Sequence, residues 1–257
     1  MSHKANTGTA LPSDADQGSN PFGDQNPNYY WFRPSNHGQN WMSLQMPNAD
    51  LTPVGLKGVW LADYCQEVFR VMGLSQRMIN KMFVKLYWCI GSASQHSQGF
   101  AFGSHTESSD VYNEHDIMIS VGAVIDGETK YFSRINVLKT LTHELIHAVQ
   151  QQEKRLHYTW FNDSLRFTFK APKGGSKQVG WIRGEDKILT AYEDLAYEWE
   201  AWGKQTQVMI EAAKRVPDQE CLGYDPRTQK PMMTDKESEM IAKWHQFIYN
   251  ISPSDWI

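Results

Sequence analysis

The chain has 257 residues, of which 40% are apolar and 21% charged, an ordinary balance for a globular protein. Its 29 acidic residues outnumber 25 lysines and arginines, which gives a formal net charge of −4. Because nucleic-acid binding requires a concentrated basic surface, this acidity argues against a nucleic-acid partner. The three cysteines form no C-x-x-C pair, which argues against a disulfide framework and against a cysteine zinc site.

Targeting signals are not visible in the sequence. Polar residues follow the first methionine, and no apolar region of a secretory signal is present. No apolar run approaches the roughly 20 residues that cross a bilayer. We therefore expect a cytoplasmic protein with no membrane partner.

Composition divides the chain into three parts. Residues 1–52 are rich in Asn, Gly, Ser and Pro and lack helical or strand periodicity, which predicts an irregular arm. The aromatic run 29–32 and Trp41 predict that this arm docks on the body of the protein or on a protein partner. Residues 53–216 are expected to form the main domain, and residues 217–257 a C-terminal extension with a packing helix.

The spacing of apolar residues predicts helices and strands in mixed order. Helices are expected over 54–72, 133–152 and 185–215 and near the end of the chain over 240–248. Ser133 is a plausible N-cap for the second helix. Extended segments are expected over 82–90, 99–102, 115–121, 165–170 and 178–182. This order predicts an α+β fold with a small, largely antiparallel sheet packed on the helices.

The most informative motif is the run His143-Glu144-Leu145-Ile146-His147. On a helix, His143 and His147 point the same way one turn apart, so both rings can reach one metal ion. Glu144 lies between them, where it can hold a water without competing for the ion. A buried stripe on the back of the helix anchors the site, formed by Leu141, Leu145, Ala148 and Val149. The pattern predicts a metal site; a solvent-facing cluster of His and Glu is the alternative.

A third ligand is expected from the predicted helix 185–215, which carries Glu193, Glu198 and Glu200 near one another. Glu198 lies along the apolar stripe that is formed by Ile188, Ala191, Leu195, Trp199 and Trp202. Glu193 and Glu200 lie on the other flank, which we interpret as solvated. Because a buried carboxylate is unfavourable unless a cation compensates it, Glu198 is preferred and Glu193 is the second choice.

These motifs resemble the gluzincin type of zincin metallopeptidases, in which H-E-x-x-H is completed by a glutamate of a following helix, often written E-x-x-A. This sequence matches with His143, Glu144, His147 and the run Glu198-Trp199-Glu200-Ala201. The likeness covers roughly residues 54–216 and is similar to compact domains of bacteria and their phages. It implies a minimal zincin-like domain, Zn²⁺ as cofactor, metallopeptidase activity and a peptide or protein substrate.

Two departures from the family pattern are present. Trp202 stands where many gluzincins have an acid after the alanine, and Asp194 is the candidate to replace that acid. Gln150 and Glu153 occupy the positions of the glycine and third histidine of metzincins, which excludes that branch.

The expected chemistry is hydrolysis by a zinc-activated water, with Glu144 as general base. A donor for the developing oxyanion is also required. Tyr192 and Tyr197 are the preferred catalytic candidates, ahead of His157 and Arg183. Plain core packing is the alternative for either tyrosine.

Two other functions compete with a peptidase. The first is a catalytically silent zincin scaffold that acts as a structural or assembly protein, for example in a phage virion, so the location is expected to be cytoplasmic or virion-associated. The intact Glu144 argues against loss of catalysis. The second is a binding module without metal, in which the motif is accidental.

Overall fold

The fold is seen in a computed structural model that describes residues 28–32, 56, 58–92, 104–106, 113–126, 128–216 and 233–249. The helices are α1 (Gly58–Val71), α2 (Gln76–Ile79), α3 (Arg134–Gln152), α4 (Ala196–Ala213) and α5 (Asp235–Tyr249). The strands are β1 (Asn28–Phe32), β2 (Met82–Ser92), β3 (Ser104–Thr106), β4 (Asn113–Ile125), β5 (Glu128–Tyr131), β6 (Leu156–Phe161), β7 (Ser164–Lys170) and β8 (Lys177–Arg183). Helices and strands in this order form an α+β fold, as the sequence predicted.

The described strands form two sheets. The larger one has the order β1-β2-β4, and the other edge of β4 pairs with β3 and, further along, with β5. The central pair, β2 and β4, is parallel, whereas every other pairing between these strands is antiparallel. The smaller sheet has the order β6-β7-β8 and follows α3 directly in the chain.

Two apolar cores hold these layers together. The first lies where α1, α3 and α4 meet the larger sheet, and it includes Phe69, Ile117, Leu141 and Met209. The second lies between the smaller sheet and helices α4 and α5, and it is largely aromatic: Phe167, Phe169, Tyr197 and Trp244. Helix α3 thus runs through the larger core and ends beside the smaller sheet.

Most of the predicted elements are confirmed. Helix α3 begins after Ser133, whose hydroxyl accepts a hydrogen bond from the Asn136 amide, so Ser133 is its N-cap. The strands predicted at 82–90, 115–121, 165–170 and 178–182 correspond to β2, β4, β7 and β8, and the C-terminal packing helix to α5. The segment predicted at 99–102 lies outside the described residues.

The predicted helix 185–215 is wrong in its first part. Helix α4 begins only at Ala196, and residues 184–195 form a surface loop with one 3-10 turn over Tyr192–Asp194. Ile188, which we placed on a buried helical stripe, is 94% exposed. The segment does not continue a helix here, because the Leu189 backbone forms a bridge to Trp181 of β8.

The aromatic run of the N-terminal arm forms strand β1. Residues 28–32 pair antiparallel with residues 84–88 of β2, which extends the larger sheet by one strand. Residues 28–32 therefore contact the body of the protein through this pairing. Trp41 and the rest of the arm lie outside the described residues.

No helix in the described ranges combines the length and the hydrophobicity that crossing a lipid bilayer requires.

Candidate metal centre

The HExxH segment lies in the middle of α3 and is almost completely buried. His143, Glu144 and His147 are each 6% exposed, and their potential ligand atoms lie within 4.8 Å of one another. Among the described residues, this is the group of His, Cys, Asp and Glu side chains that has the geometry to hold a metal ion. The Nε2 atoms of the two histidines face each other at 3.1 Å, as expected for rings one helical turn apart.

Glu198 of α4 completes this group. Its Oε2 lies 3.1 Å from His143 Nε2 and its Oε1 lies 3.3 Å from His147 Nε2, whereas Glu144 Oε1 lies 3.8 Å from His143 Nε2. Glu198 is in the first turn of α4, where the helix dipole favours a negative charge. The structure therefore brings together His143, His147 and Glu198, the three residues that the sequence analysis chose as ligands.

Gln150 fixes the orientation and the tautomer of His147. Its side-chain nitrogen donates to the Tyr197 carbonyl and to Glu200 Oε2, both at 3.0 Å, so both N–H groups are used by acceptors. Its oxygen must therefore face His147 Nδ1, at 2.9 Å. Because a carboxamide oxygen only accepts, Nδ1 carries the proton and the Nε2 atom of a neutral ring keeps its lone pair.

Gln205 of α4 does the same for His143. Its nitrogen donates to Glu237 Oε1 at 3.0 Å, and its oxygen lies 3.1 Å from His143 Nδ1. The Nδ1 atom of His143 is therefore the protonated one, and its Nε2 atom also presents a lone pair toward Glu198.

With both imidazole rings neutral, three hydrogen-bond acceptors meet at the centre of the site. Two Nε2 lone pairs and a carboxylate converge within 3.3 Å in a buried site, where uncompensated acceptors repel one another. Either a proton on His147 or a divalent cation compensates these acceptors, and two imidazoles with one carboxylate are a donor set of catalytic zinc sites. The residues present thus fit zinc.

The pKa values of the site are set by burial and by the Glu198 carboxylate, which lies close to both histidines. Burial lowers the pKa of His143. Burial opposes protonation of His147 as well, but the Glu198 carboxylate outweighs it and raises the His147 pKa to about 9. Burial would raise the pKa of Glu198, whereas the two histidines hold it far below its usual value.

Glu144 differs from Glu198 in its environment. Burial raises its pKa well above the usual glutamate value, and this increase exceeds the opposing effect of His147. A carboxyl group whose pKa moves toward neutrality is suited to accept and return a proton near pH 7.

The two tyrosines chosen from the sequence lie near the site in different roles. Tyr192, on the loop before α4, donates its hydroxyl proton to Glu198 Oε2 at 2.6 Å and accepts from Trp202 Nε1 at 3.0 Å. Tyr197 is buried in the second core, with its ring 5.6 Å from the His147 ring. Tyr192 therefore supports a proposed ligand, and Tyr197 packs behind the other imidazole.

A third tyrosine was missed by the sequence analysis. Tyr158 on β6 is 37% exposed, and its ring lies 6.2 Å from that of Tyr197. Burial of its hydroxyl end, followed by Tyr197 and the carboxylates of Glu198 and Glu144, raises its pKa. Its phenol therefore keeps its proton, and Tyr197 is its hydrogen-bonding neighbour. Tyr158 was missed because no strand was predicted at residues 156–161.

Other residues that were singled out lie away from the ligands. Glu193, the second choice as third ligand, is exposed, and the main chains of Glu193 and Asp194 accept bonds from other elements. His157 Nε2 contacts the Lys154 carbonyl, and the Arg183 guanidinium lies over the Trp160 ring. Trp202 is the exception, because its ring packs against the His143 ring with 5.2 Å between the ring centroids.

The prediction that Glu200 is solvated is wrong. Glu200 is 0% exposed and binds Arg155 at 2.7 Å, Lys204 at 2.6 Å and Gln150 at 3.0 Å. Burial raises the pKa of Glu200, but the two cations outweigh burial and lower it overall. Arg155 comes from the turn after α3, which a helical pattern on α4 alone does not reveal. Glu200 thus holds Gln150, which in turn holds His147.

The chain matches no protein-family model, no curated protein and no solved structure.

Proposed function

We propose that this protein is a zinc-dependent metallohydrolase that cleaves peptide bonds. The observation that carries the proposal is the convergence of His143 Nε2, His147 Nε2 and the Glu198 carboxylate within 3.3 Å. Glu144 lies beside these ligands without being as close to His143 as Glu198 is. The gluzincin resemblance of the same residues supports the assignment.

Each side chain has a distinct task in this proposal. His143, His147 and Glu198 hold the ion, with Gln150 and Gln205 fixing the ring orientation from behind. A zinc ion in this site supplies Lewis acidity toward water and toward a peptide carbonyl.

Proton transfer is the task of Glu144. Its raised pKa lets it take a proton from the attacking water and deliver it to the leaving amine. Tyr158 is the proposed donor to the oxyanion, because its phenol keeps its proton and contacts Tyr197, whereas Tyr192 donates to the proposed ligand Glu198.

The decisive experiment compares the wild type with Glu144→Gln. We expect both proteins to bind one zinc ion, measured by elemental analysis, and the variant to lose about 10²–10⁴-fold in the rate of cleavage of an unfolded, fluorescently labelled protein. A chain that binds zinc but cleaves nothing supports the silent scaffold instead. A wild type that binds no zinc excludes the metallohydrolase.

A further inference from the structure

The side-chain amide of Gln205 has two ends of nearly equal size, and its function depends on which end faces His143. With the oxygen toward His143 Nδ1, as in the structure, the ring is protonated on Nδ1 and Nε2 is open to a metal. With the nitrogen in that place, Nδ1 would have to accept, and the ring proton would move to Nε2. Sterics alone do not choose between these two orientations.

The choice is made by Glu237, in the first turn of α5. Glu237 is 1% exposed, and its Oε1 atom accepts from Gln205 Nε2 and from the Thr206 hydroxyl. A carboxylate oxygen offers no proton, so it accepts only the nitrogen end of Gln205. The oxygen end is thereby directed to His143.

The other oxygen of Glu237 is held by three donors. Oε2 accepts from Lys139 Nζ at 2.7 Å, from the Thr234 backbone amide at 2.7 Å and from the Thr234 hydroxyl at 3.1 Å. Thr234 and Glu237 also form a capping box, since the Glu237 amide returns a bond to the Thr234 hydroxyl. Helix capping uses only the Oε2 atom of this carboxylate. The hydrogen bonds of Oε1 with Gln205 and Thr206 are not needed for capping.

We propose that Glu237 is a positioning residue of the metal centre, which sets the tautomer of His143 through Gln205. The C-terminal extension is then part of the site rather than an appended packing element. This inference rests on the proposed function for its consequence, zinc affinity, but the tautomer itself is a property of the metal-free protein.

The substitution Glu237→Gln tests whether Glu237 sets the direction of the hydrogen bonds that run through Gln205 to His143. Three donors hold the Oε2 position, so the new amide keeps its oxygen there and places its nitrogen at the Oε1 position. That nitrogen donates toward Gln205, which must turn its oxygen to it and its nitrogen to His143. We expect His143 to become protonated on Nε2, and the Kd for zinc to rise about 10–100-fold, as for loss of other outer-shell partners.

The exchange variant Glu237→Gln with Gln205→Glu provides the rescue. The amide at 237 then donates to a carboxylate at 205, whose other oxygen again accepts from His143 Nδ1. We expect the Nδ1–H tautomer to return and the zinc Kd to fall to within about threefold of the wild-type value. A residue that only stabilised helix α5 would not be rescued by a change at position 205.

The tautomer is measured by ¹H–¹⁵N NMR of the metal-free protein, and the zinc Kd by competition with a chromogenic chelator. Glu239→Gln is the matched control, since Glu239 is on the same helix, its side chain is 59% exposed and it pairs with Lys243. We expect this control to leave both readouts unchanged. If Glu237→Gln does not fold, Gln205→Met removes the acceptor of His143 Nδ1 without changing Glu237, and we expect a similar loss of zinc affinity.

The two proposals fail in different ways. The role of Glu237 is overturned if folded Glu237→Gln keeps the wild-type His143 tautomer and zinc Kd. It is also overturned if the exchange variant binds zinc no better than Glu237→Gln. A wild type that shows the Nδ1–H tautomer and loses it in Glu237→Gln, yet binds no zinc, would support that role and refute the metallohydrolase.

Discussion

His143 Nε2 and His147 Nε2 lie 3.1 Å apart, and neither has a proton to give to the other in the neutral rings. Their Nδ1 atoms are occupied by the oxygens of Gln205 and Gln150, whose own nitrogens donate to buried carboxylates. With neutral rings, the fold therefore holds two opposed lone pairs in a buried position, and the raised pKa of His147 is consistent with a site that favours a positive charge. Such an arrangement is stable when a cation lies between them.

The third ligand can be tested by comparing two glutamates. We expect Glu198→Ala to weaken zinc binding by at least about 100-fold, the upper range for loss of an outer-shell partner, because it removes a direct ligand. Glu193→Ala is the control, since Glu193 is exposed and interacts through its main chain. Chelator competition measures both constants. Equal affinities of the two variants would exclude Glu198 as a ligand.

Tyr158 and Tyr192 are expected to differ in their effect on catalysis. Tyr158→Phe removes the proposed oxyanion donor and should lower kcat by about 10²-fold with little change in KM. Tyr192→Phe removes a hydrogen bond to Glu198 and should mainly weaken zinc binding. Steady-state kinetics of both zinc-loaded variants make the comparison. A larger loss of kcat in zinc-saturated Tyr192→Phe would assign the oxyanion donor to Tyr192.

The buried ion pair of Arg155 and Glu200 should contribute more to the free energy of unfolding than a partly exposed ion pair does. Arg155→Met leaves the Glu200 carboxylate buried with reduced compensation, and we expect a loss of about 3–5 kcal/mol in the free energy of unfolding. Lys214→Met breaks the partly exposed pair with Glu211 and should lower it by about 0–1 kcal/mol. Urea denaturation of the metal-free proteins measures both values, and similar losses would contradict the role of burial.

Acid stability should depend on Glu237. Burial alone would raise the pKa of this carboxyl group, but Lys139, Thr206, Thr234 and Gln205 outweigh burial and lower it to about 2. Because this pKa lies below the unfolded value of about 4.3, the contribution of Glu237 to stability is complete above that value and is lost as the pH falls through about 2.

The measurement is urea denaturation of metal-free wild type and Glu237→Gln between about pH 2 and pH 6. We expect the wild type to be more stable by about 2–4 kcal/mol at the upper end, and the difference to shrink as the pH falls. A difference that stays constant over this range would contradict a charged Glu237 in the folded protein.

The ligand-bearing helix was predictable because its information is local. Ser133 caps it, an apolar stripe repeats at helical spacing, and His143 and His147 are four residues apart, so the period of an α-helix alone places both rings on one side. The position of Glu198 beside the histidines was also predictable, because a carboxylate among apolar residues calls for a compensating group.

The start of α4 was not predictable in this way. Apolar residues at 188 and 191 continued the helical spacing, but the Trp181–Leu189 bridge holds this segment against β8 as a loop. A period in the sequence does not show whether a neighbouring strand competes for the same backbone.

The sequence by itself determined which side chains can bind a metal, because residue type and helical spacing are properties of a single segment. The tertiary structure decided how those side chains are held. Gln205, Glu237 and Glu200 act on the histidines through hydrogen bonds that span 32 to 62 residues of the chain, and bonds of that range follow from the packing of α3, α4 and α5. Direction of a hydrogen bond depends on both partners, so no single segment encodes it.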